Sequence, residues 1–248
     1  MKSENLPYVF AVVVMAVLLF AACVPPEVTA ESENSVAPEA AVQTETEAGQ
    51  AEGAGDEFPI EVLYFTPSQT EGPYYPVEKL TDQDNDLFVL GGADGSPAGE
   101  ILAFGGRLYD GSGMPIPGAV IEIWQTDGKG IYMHPGDSDS ADRDANFQYY
   151  GEAITGEGGG YTFRTVMPGE YDPRPRHIHV KVRVDGQEVL TTQFYFSNDP
   201  KASADSIFAR TGDEVEALIM DIEEGIDFEG NRALIGRRDI ILRMNLSE

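Results

Sequence analysis

The sequence predicts an all-β fold, an antiparallel β-sandwich with minor helix, preceded by a disordered N-terminal segment. From Phe58 onward the chain consists of short β-rich runs, and Gly, Pro and Asp turn signals separate them. A helical pattern is confined to one stretch, residues 213–220, late in the chain. Many short strands with frequent turns and little helix are typical of β-sandwiches.

Residues 1–23 have the pattern of an export signal. An apolar run from Tyr8 to Ala22 follows Lys2, and it is shorter than the about 20 residues that span a bilayer. The stretch from Phe20 to Cys23 is similar to a lipobox, in which the cysteine is lipidated and tethers the protein to a membrane. We therefore expect an exported, extracytoplasmic protein anchored through Cys23. A signal cleaved nearby, or an uncleaved anchor, is the alternative.

Residues 24–57 are predicted to form a disordered acidic linker. They contain nine Asp or Glu residues, no Lys or Arg, and no aromatic residue. Such a composition buries too little apolar area to offset the entropy lost on ordering. The net charge of −27 argues against nucleic-acid binding, which needs clustered Lys and Arg to neutralise phosphates. The remaining residues, 58–248, are predicted to form one folded β-sandwich domain.

Within that domain, alternating apolar and polar residues predict the strands. A hairpin is expected at Asp185-Gly186, because this pair suits a type I′ turn and the preceding residues 180–184 alternate cleanly. Trp124 follows a rigid Pro-rich turn and is expected in the core, since large aromatic residues are usually buried. The predicted strands are 102–108, 119–125, 161–166, 177–184, 190–196 and 239–244.

His177 and His179 are the strongest candidates for a metal site. The two residues are separated by one position in a predicted strand, so their imidazoles lie on the same face. Zinc usually requires further Cys, His or carboxylate ligands, and the only cysteine, Cys23, is far away in sequence. Copper is a second possibility, although no Cys or Met is placed for a blue-copper centre.

A hard trivalent cation with oxygen ligands is the third possibility. Tyr132 and Tyr171 precede the histidine pair in sequence and could supply phenolate oxygens. A phenol ordinarily ionises near pH ~10, but a bound cation strongly favours the deprotonated form. Two phenolates would hold iron in the ferric state.

Several segments carry a resemblance to a known family. In order and spacing, the chain resembles intradiol ring-cleavage dioxygenases of the protocatechuate 3,4-dioxygenase type. The resembling segments are 66–75, 113–125, 129–132, 168–171, 174–179 and 190–193.

The resemblance implies non-haem Fe(III) held by Tyr132, Tyr171, His177 and His179. It also implies that a catechol-type substrate reacts with O2 and is cleaved between its two hydroxylated carbons, giving a cis,cis-muconate-type product. The catechol would displace Tyr171 from the iron, and the freed tyrosine would take up a catechol proton. No external reductant is consumed.

Two further residues match catalytic positions of the family. Arg174 matches an arginine that stabilises charge developing on the substrate ring, a form of electrostatic preorganisation. Gln193 matches a glutamine near the arginine and the O2 side. The structural alternatives are a surface arginine in a Pro-rich turn and a strand glutamine that pairs with backbone. Tyr74 and Tyr75 are expected mainly to pack, and His134 either borders the pocket or lies on a solvated loop.

The chain departs from the family pattern in two places. The segment between Tyr171 and Arg174 is shorter than in most catechol or protocatechuate enzymes, which predicts a more accessible site. The chain is also expected to lack the helical N-terminal domain of catechol 1,2-dioxygenases. The competing interpretation is a non-catalytic cell-surface β-sandwich module that binds metal or carbohydrate, and such a module has no need for both Tyr132 and Tyr171 beside the histidine pair.

Overall fold

The computed structural model describes residues 58–197 and 199–245. The predicted signal, residues 1–23, and the predicted linker, residues 24–57, lie outside the described residues. Within the described part of the chain, no helix is both long and apolar enough to span a membrane.

Strands dominate the described residues, and the helical part is small, as predicted. One α-helix, α1, runs from Ser206 to Thr211, and short 3-10 helices cover Ser140–Asp142, Ala202–Ala204 and Gly212–Leu218. The strands are β1 (Ile101–Tyr109), β2 (Val120–Trp124), β3 (Tyr150–Ile154), β4 (Gly160–Val166), β5 (His177–Val184), β6 (Gln187–Phe196), β7 (Ile219–Ile226), β8 (Arg232–Arg237) and β9 (Ile240–Ile241).

The strands form a sandwich in the order β3-β2-β5-β6-β7-β8-β1-β4, with β9 paired to β1. Most neighbours are antiparallel, and the parallel pairs are β1 with β8, β1 with β9, and β6 with β7. The predicted hairpin between β5 and β6 is confirmed. Asp185 and Gly186 have φ angles of 51° and 74°, the positive values that a type I′ turn requires. The all-β sandwich prediction is therefore confirmed.

Some element predictions were wrong. The helix expected over residues 213–220 is a 3-10 helix that ends at Leu218, because Ile219 and Met220 pair with the end of β6. Strands β7 and β8 were missed, since β7 is mostly exposed and shows little apolar alternation. Strand β3 and helix α1 were missed as well. The strand expected over 239–244 is reduced to Ile240–Ile241.

Strand β5 separates the core from the candidate site. Its residues Ile178, Val180 and Val182 face the sandwich core and have no exposed surface. The opposite face carries His177 and His179, because neighbouring side chains in a strand point to opposite faces. Both histidines are also buried, so loops must cover this outer face of the sheet.

Candidate active site

Strand register aligns the side chains on the outer face of β2, β5 and β6. His179 lies opposite Trp124 of β2 on one side and opposite Gln193 of β6 on the other. His177 lies opposite Tyr195. Residues directly opposite each other in a sheet share a face, so these five side chains form one continuous surface.

The two imidazoles converge through their Nε2 atoms, which lie 3.2 Å apart. The Nδ1 atom of His177 is 2.8 Å from the carbonyl oxygen of Pro175, a contact in which only the ring can donate. The proton therefore sits on Nδ1, and Nε2 of His177 presents a lone pair. A hydrogen bond that fixes the histidine tautomer in this way is typical of metal-binding histidines.

Tyr132 completes the convergence from a loop that follows β2. Its hydroxyl oxygen is 3.3 Å from Nε2 of His177, and the residue is 2% exposed. The carboxylate of Asp137 accepts a hydrogen bond from the Tyr132 backbone N–H at 2.9 Å. Asp127, fully buried, accepts hydrogen bonds from the backbone N–H groups of Lys129 and Ile131. Buried carboxylates therefore fix the backbone that carries the phenol.

Two glycines allow the Tyr132 loop to approach the Tyr171 loop. A Cβ atom on Gly130 would lie 2.0 Å from the Glu170 carbonyl oxygen, and one on Gly169 would lie 2.2 Å from the Gly130 nitrogen. No larger residue fits at either position without displacing backbone. The close approach places the Tyr132 and Tyr171 rings edge to face, with centroids 5.7 Å apart.

Tyr171 is followed by a tight turn. The backbone N–H of Arg174 donates to the carbonyl oxygen of Tyr171 at 2.8 Å, and the two residues form an isolated antiparallel bridge. The short Tyr171–Arg174 segment is thus a closed turn and inserts no loop over the site. Tyr171 is partly exposed, whereas Tyr132 is buried.

Arg174 is held by three side chains, two from β6 and one that precedes α1. Its Nε donates to Oδ2 of Asp205 at 2.5 Å, and its Nη2 donates to Oε1 of Gln193 at 2.7 Å and to the Tyr195 hydroxyl at 3.3 Å. Gln193 has no exposed surface, and its amide nitrogen donates to the Thr70 carbonyl at 2.8 Å. The two predicted residues Arg174 and Gln193 therefore contact each other directly.

The segment from Gln69 to Tyr75 covers the site. The Tyr74 ring contacts both Tyr132 and Tyr171, with centroid distances of 4.8 Å and 5.6 Å. The Tyr75 hydroxyl donates to Glu122 at 2.7 Å. Both tyrosines therefore pack, as expected, and Tyr74 packs directly against the candidate ligands.

His134 lies at the border between the covered site and a surface cavity. Its ring centroid is 5.5 Å from that of Tyr74, and its Nδ1 accepts a hydrogen bond from the Gly136 backbone N–H. The cavity has a volume of about 360 Å³, and Met133 and Arg143 also line it. The structure thus places His134 at a pocket border.

Trp124 is buried, as predicted, but not in the main sandwich core. Its indole stacks on the His179 ring with a centroid distance of 4.7 Å and an interplanar angle of 7°. It clusters with Tyr132 and Tyr150 on the outer face. Sequence reasoning missed this stacking role, although the alternation of β2 places Trp124 on the same face as Glu122 and could have indicated it.

Burial controls the protonation of the converging groups. Desolvation, followed by the positive charge of Arg174, lowers the pKa of His177 to about 4. Desolvation and the neighbouring His177 lower the pKa of His179 well below its usual value. Desolvation also raises the pKa of the Tyr132 phenol, and Arg174 partly opposes this rise. Near neutral pH both imidazoles are therefore uncharged and able to bind a cation.

The convergent donor set fits a metal ion. Two histidine nitrogens bound at about 2.0–2.1 Å, as in zinc sites, lie about 3 Å apart when adjacent on the metal, and the observed separation is 3.2 Å. Within residues 58–197 and 199–245, no group of three or more His, Cys, Asp or Glu side chains could hold a metal. The further donors beside His177 and His179 are phenol oxygens, which favour a hard cation over zinc or copper.

Comparisons with known proteins identify the family of the chain. A dioxygenase family model matches residues 70–243. The chain is 34% identical over 180 residues to the protocatechuate 3,4-dioxygenase beta chain of Burkholderia cepacia, covering 69% of this chain and 76% of that protein. It is 32% identical over 186 residues to catechol 1,2-dioxygenase of Acinetobacter baylyi, covering 68% of this chain but 57% of that protein.

Solved structures give the same result. The dioxygenase domain of a dioxygenase–carbohydrate-binding protein fusion from Streptomyces sp. SirexAA-E is 30% identical, with a TM-score of 0.57, and the match covers 73% of this chain and 99% of that one. Catechol 1,2-dioxygenase from Acinetobacter sp. ADP1 is 28% identical with a TM-score of 0.55, over 73% of this chain and 63% of that one. The chain therefore belongs to the intradiol ring-cleavage dioxygenase family.

Proposed function

We propose that this chain is a non-haem Fe(III)-dependent dioxygenase that cleaves a catechol-type ring between its two hydroxylated carbons. Both atoms of O2 enter the cis,cis-muconate-type product, so the reaction balances without an external reductant. One observation carries the proposal: Nε2 of His177 lies 3.2 Å from Nε2 of His179 and 3.3 Å from the Tyr132 hydroxyl, with Tyr171 packed against Tyr132.

Tyr132, Tyr171, His177 and His179 are the residues that would hold the iron. When bound, ferric iron would act as a Lewis acid that binds the catechol oxygens and prepares the ring to react with O2. A trivalent cation also reverses the effect of burial on Tyr132, because it stabilises the phenolate that desolvation disfavours.

The two tyrosines differ in their freedom to move. Tyr132 is 2% exposed and lies on a backbone fixed by Asp137, so we assign it a permanent ligand role. Tyr171 is partly exposed and precedes a turn at the surface. We therefore assign the role of base to its oxygen in the phenolate form that would bind the iron, and this phenolate takes the proton that a catechol hydroxyl loses on binding.

Arg174 supplies a fixed positive charge next to the site. This charge lowers the pKa of both Tyr132 and His177, so its field reaches the converging donor atoms. A cation oriented before the reaction stabilises negative charge that develops on a bound catechol ring. Gln193 contributes by holding Nη2 of Arg174 at 2.7 Å.

A non-catalytic binding module accounts less well for the site. Such a module could use the histidine pair for metal, but nothing in that role requires two phenols and an ion-paired arginine beside it. The proposed export and the lipid tether at Cys23 concern residues outside the described part of the chain and stay predictions.

The proposal is tested with purified chain loaded with iron. We expect one iron per chain, a visible tyrosinate-to-Fe(III) absorption band that shifts on addition of a catechol, and O2 uptake matched by formation of a ring-opened diacid. A colourless protein after iron loading contradicts the metal assignment. An iron-loaded, coloured protein that opens no catechol ring contradicts the reaction alone.

Two variants make the test specific to the site. Tyr132→Phe should alter or abolish the band, and an unchanged spectrum with iron retained excludes Tyr132 as a ligand. Tyr161→Phe is the matched control, because Tyr161 is a buried tyrosine of β4, which is not a neighbour of β5, and its hydroxyl donates to the Arg238 carbonyl. This variant should keep the band and the activity.

A further inference from the structure

Asp205 is a buried carboxylate with two separate partners. It is 5% exposed and precedes helix α1. Its Oδ1 accepts hydrogen bonds from the backbone N–H groups of Ile207 and Phe208, at 2.9 and 2.7 Å, and so caps the helix. Its Oδ2 accepts from Nε of Arg174 at 2.5 Å. One side chain thus joins a helix terminus to the arginine.

The Asp205 contact fixes the plane of the Arg174 guanidinium. Asp205 accepts a hydrogen bond from Nε, while Gln193 and Tyr195 accept hydrogen bonds from Nη2. A guanidinium is planar and presents its donors in a rigid fork, so contacts at Nε and at Nη2 together determine its orientation. The charge-assisted bond to Asp205 is the strongest of these contacts.

Asp205 also offsets the cost of burying the Arg174 charge. The Arg174 side chain is 13% exposed and that of Asp205 is 3% exposed. Removing one partner of a buried ion pair leaves an uncompensated charge, which then tends to move toward water. Without Asp205, we therefore expect the Arg174 side chain to move toward solvent and to lose its contact with Gln193.

We propose that Asp205 is a positioning residue of this enzyme: its Oδ2 holds the Arg174 guanidinium in place while its Oδ1 caps helix α1. The inference rests on the proposed function, because Arg174 matters only if charge develops on a substrate. Asp205 itself acts through Arg174 and is not assigned any contact with substrate. The sequence signal is modest, since Asp205 lies 31 residues after Arg174 and looks like an ordinary helix cap.

The test uses Asp205→Ser, with Ala209→Gly as its matched control. Serine still caps a helix but is too short to reach Arg174. Ala209→Gly weakens α1 at an exposed position and leaves the Asp205–Arg174 contact intact. We expect Asp205→Ser to lower kcat for a catechol about 10- to 100-fold, the range seen for residues that orient a functional group. Iron content and the visible band should persist, and Ala209→Gly should stay within about twofold of the original chain.

A double-mutant cycle with Arg174→Lys separates positioning from a structural role. If Asp205 acts through the guanidinium, Asp205→Ser should reduce kcat little further in the Arg174→Lys background. Losses that multiply overturn the proposal, as does an Asp205→Ser variant with kcat within twofold of the original. Should Asp205→Ser fail to fold, Asp205→Asn replaces it, because its single acceptor oxygen cannot serve the helix cap and Arg174 together.

A spectroscopic measurement tests the contact without catalysis. In the iron-free protein the Arg174 Nε–H resonance, assigned by its loss in Arg174→Lys, should exchange slowly with water in the original chain and in Ala209→Gly. It should exchange rapidly in Asp205→Ser, and unchanged protection contradicts the proposal. If the original chain opens no catechol ring, the proposed function fails, and this resonance alone decides whether Asp205 holds Arg174.

Discussion

The two faces of strand β5 are both buried but differ in chemistry. Ile178 and Val180, on the core face, have no exposed surface, while His177 and His179, on the outer face, are 4% and 3% exposed. The core face packs against the inner residues of the sandwich. The outer face is covered by loops that carry Tyr74, Tyr132 and Tyr171.

This difference separates stability from function along a single strand. Apolar residues on the core face stabilise the fold through burial alone, which is not directional. The imidazoles on the outer face place polar nitrogen atoms in a buried environment. One of these atoms, Nδ1 of His179, has no hydrogen-bond partner among the described residues. A buried polar atom without a partner costs stability, and the atoms of these imidazoles that face each other, and so can share a metal ion, are the Nε2 atoms. We therefore expect core-face changes to alter stability and outer-face changes to alter iron binding.

The largest expected effect is the loss of iron on the outer face. His177→Gln keeps the approximate volume of the side chain but removes the Nε2 lone pair that lies 3.2 Å from His179. Residues that merely support metal ligands change affinity or activity about 10- to 100-fold, so loss of a ligand should exceed that range. Iron content and catechol turnover measure it. One iron per chain with normal turnover would exclude His177 as a ligand.

A core-face substitution should have the opposite signature. Ile178→Ala removes a fully buried side chain and should lower the free energy of unfolding by about 2–5 kcal/mol. The milder Ile178→Val should cost about 0.5–1.5 kcal/mol. Denaturant titration gives both values, and iron content per folded molecule should stay unchanged. Loss of iron from folded Ile178→Val protein would show that the two faces are not separable.

The stability of the iron-free protein should depend on pH through the outer face. Burial lowers the pKa of His177 to about 4, so the folded state stays unprotonated while the unfolded state gains a proton below pH ~6.5. This contribution is present above pH ~6.5 and is lost as the pH falls toward 4, by at most about 1.4 kcal/mol per pH unit. Urea titrations between pH 4 and 7 measure the slope. His179, whose pKa is also lowered by burial, adds a slope of the same sign, so His177→Gln should reduce the slope without abolishing it, and an equal slope in that variant would refute the assignment.

A smaller effect is expected at Trp124, whose ring stacks on His179. Trp124→Phe keeps a flat ring against the imidazole, whereas Trp124→Leu removes the stacking partner and frees His179 to rotate. We expect Trp124→Leu to weaken iron affinity about tenfold, at the lower end of the range for supporting residues. Competition with a chelator measures this affinity. If Trp124→Phe and Trp124→Leu bind iron with equal affinity, the stacking of Trp124 on His179 does not contribute to metal binding.

Strand alternation and the family resemblance indicated different residues of the candidate site. The resemblance alone implied that Tyr132 and Tyr171 join the histidine pair. Strand alternation predicted that His177 and His179 share a face, and the Asp-Gly turn predicted the hairpin after β5. Alternation could not show which loops cover that face, since Tyr132 reaches it only because Gly130 and Gly169 allow two distant loops to touch.

Two other features gave no clear signal in the sequence: strands β7 and β8, and the contact of Asp205 with Arg174. Only one residue of β7 and two residues of β8 are buried, so burial leaves little apolar alternation in their sequence. The Asp205 contact to Arg174 spans 31 residues, and no local signal distinguishes it from the capping contact of the same carboxylate.

The smallest effect is expected at Lys181. This residue follows His179 by two positions in β5, so its side chain lies on the same outer face. Its side chain is 4% exposed, its Nζ lies 2.6 Å from Glu71 and 3.2 Å from Glu188, and it lies over the Tyr75 ring. Both carboxylates are more than 40% exposed, so Lys181→Met leaves no buried charge unpaired. Replacing a buried charge by an apolar side chain of similar volume is often neutral.

We therefore expect Lys181→Met to change the free energy of unfolding by less than about 1 kcal/mol, as an exposed ion pair would. The matched variant Glu71→Gln with Glu188→Gln keeps the buried ammonium but removes both partners, so it should destabilise the protein more than Lys181→Met does. Denaturant titrations of the two variants decide the comparison. Both variants lack the two ion pairs, so if Lys181→Met is the less stable one, the lysine side chain stabilises the outer face through other contacts, such as the one with the Tyr75 ring.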